Sequence, residues 1–300
     1  MHLAHQMNIS FGRHTRLTAL ALALAASLAA CGGSGGSNAA APPTGDTAQR
    51  IAAASATATS ASNSCSSVRP FYWELGDVSG ALASASVNAT GSSVTFGAST
   101  AVSIASASKW LYSSYVVERR GSAGLSTSDI KFLNFRSGYT NFTGCQQGQT
   151  VGECVADSTN GEYTAANDGK FLYDGGHMEV HANLDGLGPL ANNPLATELR
   201  GQLGTDIAFA YSQPQLAGGV YANADNYARF LRKLLGGQLR MSAALGSNPV
   251  CTNPLTCPSA VGTPIPGNES WHYSIGHWVE DDPTVGDGSF SSPGAFGFYP

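Results

Sequence analysis

Ile104-Ala-Ser-Ala-Ser-Lys-Trp-Leu-Tyr-Ser-Ser-Tyr-Val-Val-Glu-Arg-Arg-Gly121 is the stretch on which the reading of this chain turns. Ser106 and Lys109 stand three apart, so on a helix they share one face, one turn from each other. A serine hydroxyl is a poor nucleophile at neutral pH. An amine kept neutral by burial or by a nearby cation can take its proton. The rest of the run predicts a buried helix. Trp110, Tyr115 and Val117 are bulky, Leu111 and Tyr115 sit at i, i+4, and charge appears only at Glu118-Arg-Arg120 before Gly121 stops the helix. Ser106 then falls in the first turn, where free backbone N–H groups favour a developing oxyanion.

Spacing alone decides little, because Ser128-Asp-Ile-Lys131 repeats it. That copy lies in a turn-like Ser-Thr-Ser-Asp context with no long apolar face behind it.

The 300 residues are 42% hydrophobic and only 12% charged, enough for one sizeable domain or one domain with an inserted subdomain. The net charge of −5 comes with no Lys/Arg stripe, which argues against nucleic acid as a partner.

Residues 1–30 read as a signal peptide: Arg13 and Arg16 precede an uncharged Leu/Ala run, Leu17 to Ala30, that is too short to span a bilayer. Its end, Leu28-Ala-Ala-Cys31-Gly32, resembles a bacterial lipobox. The resemblance implies cleavage before Cys31, lipidation of its thiol, and a membrane-anchored protein of the cell envelope, facing the periplasm or the cell surface. Residues 31–64 hold no aromatic residue and are rich in Gly, Ser, Ala and Thr, which predicts a disordered tether.

The folded domain is expected over 65–300. Phe71-Tyr-Trp-Glu-Leu, Ala81 to Val87 and Ser93-Val-Thr-Phe read as strands before the Ser106 helix. A mainly helical subdomain follows over about 122–265, and its clearest helix is Asn223 to Leu235. There Tyr227, Phe230, Leu231 and Leu234 form a stripe, Asn223 caps it and Gly236-Gly237 ends it. His272 to Glu280 and Ser289 to Tyr299 read as closing strands. Cys145 with Cys154, and Cys251 with Cys257, are close pairs in loops, and outside the cytoplasm they read as local disulfides. Cys65 has no partner once Cys31 is lipidated.

Strands, a Ser-x-x-Lys helix, helices, then strands: this order, from about Phe71 to Pro300, resembles the serine β-lactamase and penicillin-binding-protein superfamily with its esterase and carboxypeptidase branches. The resemblance rests on Ile104 to Leu111, on Gly218-Gly-Val-Tyr-Ala-Asn-Ala-Asp-Asn-Tyr-Ala-Arg-Phe-Leu and on Ser292-Pro-Gly-Ala-Phe-Gly. It implies an α+β fold, an antiparallel sheet flanked by helices with a helical insert. It also implies an acyl-enzyme on Ser106, with Lys109 helping to deprotonate it. Tyr173 in Phe171-Leu-Tyr-Asp-Gly-Gly-His matches the second motif, with a phenol whose pKa a neighbouring ammonium would lower; Tyr163 and Tyr211 are fallback choices. The family's Asn two places on is Gly175 here.

The third motif aligns with Ser292-Pro293-Gly294. Ser292 stands where the family has Lys or His, so a cation for a substrate carboxylate is missing, and an ester or an uncharged amide is favoured. The Ala295 N–H is expected opposite that of Ser106 as the oxyanion hole. The family's last strand and terminal helix have no counterpart in this sequence, and a 300-residue chain without them is expected to be poorly soluble or inactive alone. The rival class is a non-catalytic envelope lipoprotein that uses the fold as a binding or structural module.

His177-Met-Glu-Val-His181 places two imidazoles on one helix face, but not in the zincin order and without an obvious third ligand. Glu280-Asp-Asp282 with Asp287 lacks EF-hand spacing. No metal or cofactor is expected. The absence of Gly-x-Ser-x-Gly disfavours an α/β-hydrolase.

Overall fold

A computed structural model describes residues 46–295 and 297–300. The expected signal peptide and the lipidation site at Cys31 lie outside the described residues.

Residues 47–59, expected as part of the tether, form helix α1 (Thr47–Thr59). Asp46 accepts from the Gln49 N–H at 2.9 Å, and the Gln49 side chain accepts from the Asp46 N–H at 3.1 Å. This reciprocal cap closes two of the helix's orphan donors. The Arg69 guanidinium then donates to the Thr59 and Ser60 carbonyls at 2.8 and 2.7 Å, tying the helix end to the domain. Alanine-rich composition supplied the propensity, and the cap supplied the start.

The fold is α+β. β1 (Phe71–Gly76) and β2 (Ala81–Val87) form an antiparallel hairpin in which Phe71 faces Val87. Ser93 to Phe96, expected as a strand, is irregular. β3 (Val102–Ser103) leads into the Ser106 turn, and then comes α2 (Ser108–Arg120). α2 is the centre of the molecule: every residue from Ser108 to Val117 is buried. Leu111, Val116 and Val117 are each at most 1% exposed, and each such side chain contributes about 1.5–3 kcal/mol on burial. Gly121, at φ +74°, turns the chain out of the helix.

The segment expected as mainly helical also carries strands. Its helices are α3 (Thr127–Leu133), α4 (Val151–Ala156), α5 (Gly176–Ala182), α6 (Asn192–Leu203) and α7 (Ala224–Leu235). Asn223 caps α7 by accepting from the Asn226 N–H at 2.9 Å, and Tyr227, Phe230 and Leu234 are buried as their spacing predicts. Between the helices lie β4 (Ser137–Tyr139) to β8 (Val220–Ala222), and after α7 come β9 (Val250–Cys251) and β10 (Ala260–Gly262). His272 to Glu280, expected as one strand, folds back on itself as β11 (His272–Tyr273) and β12 (Trp278–Glu280). Gly276, at φ +72° and packed on Ser113 of α2, makes that reversal. β13 (Ser289–Ser291) completes a four-stranded antiparallel sheet in the order β13-β12-β11-β9.

The strands do not join one continuous sheet. Most are only two or three residues long, and among the described residues β1 hydrogen-bonds to β2 alone. An apolar groove of about 850 Å³ runs beside β1, lined by Phe71, Tyr227, Leu231 and Phe298 among others. The structure pairs Cys145 with Cys154 and Cys251 with Cys257.

Candidate active site

Ser106 sits just before α2, in a tight 3-10 turn over Ala105–Ala107, rather than inside the α-helix. Three contacts hold this turn. The Ile104 N–H donates to the Val220 carbonyl at 3.0 Å, and Tyr227 donates its hydroxyl to the Ala107 carbonyl at 2.9 Å. The Val220 N–H donates to the Ser108 hydroxyl at 3.2 Å. Ala105 has φ +44°, a strained conformation for a residue with a Cβ, directly before the candidate nucleophile.

Lys109 is buried. Its Nζ donates to Ser106 Oγ at 2.9 Å and to the Ala217 carbonyl at 2.7 Å, and it lies over the Tyr173 ring, 4.9 Å from the centroid. Burial pushes the amine down to about 8, while the charges of Glu179 and Asp174 oppose that shift. An amine with this value is neutral in an appreciable fraction of molecules near neutral pH. Its lone pair then faces the Ser106 hydroxyl while an N–H stays on Ala217.

Tyr173 joins the site, but not with a lowered pKa. Burial pushes its phenol up to about 12, against hydrogen bonds from Ser106 and Trp278. The ammonium lies over the ring face rather than beside the hydroxyl, so it does not stabilise a phenolate at close range. Tyr173 is a protonated donor here. The fallback tyrosines lie apart from this role. Tyr163 is exposed, and Tyr211 is buried with its hydroxyl unpaired. Gly175 leaves no space for the family's Asn, since a Cβ there would meet the Phe142 ring at 2.6 Å.

The Ser292–Ala295 segment runs beside the nucleophile turn. Ser292 is buried, and its hydroxyl donates to the Ser106 carbonyl at 3.4 Å, so that hydroxyl is spent inside the protein. Gly294 donates its N–H to the Phe298 carbonyl at 2.7 Å, and a Cβ at 294 would collide with the Ile104 carbonyl. Glycine is required there by that close approach. Ala295 follows in the adjoining turn.

The other singled-out groups are engaged elsewhere. Ser128 is exposed on α3, and Lys131 pairs with Asp168 at 2.6 Å. His177 shares hydrogen bonds with the Ser137 hydroxyl at 2.6 Å and the Leu172 carbonyl at 3.0 Å. His181 bonds the Tyr112 hydroxyl at 2.6 Å and Asp129 at 2.8 Å. All four imidazole nitrogens are therefore used in packing α5, which leaves none for a metal.

Sequence reasoning missed Glu179 and Trp278. Glu179 is an acidic residue on a helix that is buried throughout, in a chain with few charges. That mismatch was the available signal. Trp278 carried no signal beyond its size.

No protein-family model matches the chain, and no curated protein matches it. Solved structures do. The chain is similar to a protein from Bacteroides dorei DSM 17855 described as a beta-lactamase: 16% identity over 74% of this chain and 77% of that one, TM-score 0.48. It is similar to a beta-lactamase from Mycobacterium bovis at 13% identity over 74% and 78%, TM-score 0.45. It is also similar to a D-amino acid amidase from Ochrobactrum anthropi SV3 at 13% identity over 69% and 73%, TM-score 0.44.

Proposed function

We propose that this chain is a serine hydrolase that forms an acyl-enzyme on Ser106 and acts on an ester or an uncharged amide. In this reading it is held to a membrane of the bacterial envelope by lipid on Cys31. One observation carries the catalytic part: the buried Lys109 amine sits 2.9 Å from Ser106 Oγ, and its other hydrogen bond goes to a neutral carbonyl. Among the described residues no carboxylate bonds it directly, so none of them at contact distance locks it as an ammonium.

The proposed steps start from that geometry. Neutral Lys109 takes the hydroxyl proton as Ser106 Oγ bonds to the substrate carbonyl carbon. The N–H groups of Ser106 and Ala295 receive the oxyanion. As the tetrahedral state collapses, the bond to the leaving oxygen or nitrogen breaks. That atom takes the proton back from the Lys109 ammonium, with the Tyr173 hydroxyl as a hydrogen-bond donor beside it. Water then adds to the ester carbon with Lys109 again accepting a proton, and Ser106 leaves as the hydroxyl. Ser292 stands where the family has a cation and its hydroxyl is turned inward, which favours a substrate without a carboxylate to bind.

The test is mass spectrometry of the folded protein after exposure to a fluorophosphonate, a penicillin and an activated p-nitrophenyl ester. An adduct on Ser106 is expected with the fluorophosphonate and the ester. Folded protein with no adduct from any of the three sinks this reading and leaves the non-catalytic lipoprotein.

A further inference from the structure

Glu179 lies on α5 with 0% exposure, and its carboxylate is not idle. One oxygen accepts from the Leu216 N–H at 3.0 Å and the other from the Ala217 N–H at 2.9 Å. The Ala217 carbonyl, on the same residue, accepts from Lys109 Nζ at 2.7 Å. A single carboxylate thus fixes two consecutive peptide N–H groups of the loop between β7 (Ala210–Tyr211) and β8, and the carbonyl beyond them aims at the reactive amine. The loop is also closed by bonds of its own, the Gly218 N–H donating to the Gln215 carbonyl at 3.3 Å and the Ser212 N–H to the Gly219 carbonyl at 2.9 Å, but of these none reaches the Leu216 or Ala217 N–H. Gly218 and Gly219 follow Ala217, and the Gly219 N–H donates to the Gln215 carbonyl at 2.7 Å.

The charges around Lys109 can be named element by element. α2 itself brings no charge among the causes that shift the amine. The residues between β6 (Phe171–Leu172) and α5 bring Asp174 and the Tyr173 ring, the β7–β8 loop brings only the Ala217 carbonyl, and α5 brings Glu179. Burial pushes Glu179 up to about 8, against the two N–H donors and Lys109. Glu179 and Lys109 therefore change charge over the same pH range, and the ionised carboxylate accepts at both oxygens.

We propose that Glu179 is a positioning residue for the site: it clamps Leu216-Ala217 so that the Ala217 carbonyl holds Lys109 against Ser106, and when ionised it supplies the negative charge that balances the ammonium. The proposal rests on the hydrolase reading for its consequence, and on the geometry alone for its existence.

The experiment separates the two. The chain has four lysines (109, 131, 170 and 233), so a protein enriched with ¹³C-lysine gives few Cε resonances, and Lys109→Arg assigns the one of interest. That resonance is followed against pH in the wild type, Glu179→Gln and Glu179→Asp. The rate of Ser106 labelling by fluorophosphonate is followed in parallel. Removing the carboxylate disfavours the ammonium, so in Glu179→Gln Lys109 titrates lower by about one pH unit and the rising limb of labelling moves with it. The labelling plateau falls by about 10²-fold, because the amine loses its aim. Glu179→Asp keeps the charge but is too short to reach both N–H groups, so the titration stays and the plateau falls.

A folded Glu179→Gln protein with an unmoved Lys109 titration and an unmoved plateau overturns the proposal. If that variant does not fold, a Glu179→Asp protein with the wild-type plateau overturns it instead. A moved titration in a protein whose Ser106 never labels upholds the role of Glu179 and defeats the hydrolase reading.

Discussion

The chain contains the same four-residue spacing twice, and the two copies have opposite fates. Ser106 and Lys109 lie at the buried start of α2, where the amine hydrogen-bonds to two neutral oxygens and lies over a ring face. Ser128 and Lys131 lie on α3, where the hydroxyl is exposed and the amine is paired with Asp168 across a part-exposed ion pair. Burial makes the first amine a base, while the second is engaged in an ion pair with Asp168. The residue between them also differs in role. Asp129 of the second copy points inward to His181, Ser126 and Arg120, so that copy builds the fold rather than the chemistry.

Breaking the first copy should give the largest effect. Ser106→Ala or Lys109→Ala is expected to cut ester turnover by about 10³-fold or more, while Ser128→Ala and Lys131→Ala stay within about twofold of the wild type. Steady-state kinetics on a p-nitrophenyl ester checks this, and equal losses at 109 and 131 would end the distinction. Tyr173→Phe removes only the hydroxyl, and is expected to lower turnover by about 10–100-fold with little change in thermal midpoint.

The pH profile sharpens the same contrast. Lys109 is lowered by burial to about 8, and only the neutral amine accepts a proton. Acylation should therefore rise with pH through about 8 and flatten above it; a rate already flat from pH 6 would mean that another group accepts the proton.

The second copy should appear in stability instead. Burial alone would raise the Asp129 carboxyl, but hydrogen bonds from His181 and Ser126 and the nearby Arg120 charge hold it well below the usual carboxylate range. Its contribution is present above the unfolded value of about 4 and is lost as pH falls below that. Asp129→Asn is expected to cost about 2–3 kcal/mol at neutral pH and to blunt the acid sensitivity, as read by urea unfolding at pH 7 and pH 3. Lys131→Ala should give the smallest change, at most about 0.5 kcal/mol in the same assay, because its pair is part-exposed.

The legible parts of this structure were those written locally. The α7 stripe with its Asn223 cap, the buried run of α2 and the two short cysteine loops each depend on residues a few places apart. What was hidden depends on distant partners. Glu179 gains meaning only when α5 meets Leu216 and Ala217, 37 and 38 residues on. Ser292 reads as a substrate-facing position until its hydroxyl is seen on the carbonyl of Ser106. Tyr173 lies against Lys109, but whether a cation meets a phenol at its hydroxyl or its face is a matter of tertiary geometry. The hairpin at Gly276 was missed because glycine in an apolar run reads equally as a close approach and as a turn, and here it is both.

Ala105 brings a different tension into view. A left-handed conformation costs a residue with a Cβ about 1–2 kcal/mol, and glycine would relieve it. Glycine would also free the main chain immediately ahead of Ser106. The reactive hydroxyl is thus aimed by a tense peptide segment, and a lineage selected only for heat resistance would drift toward glycine here and blunt its own nucleophile.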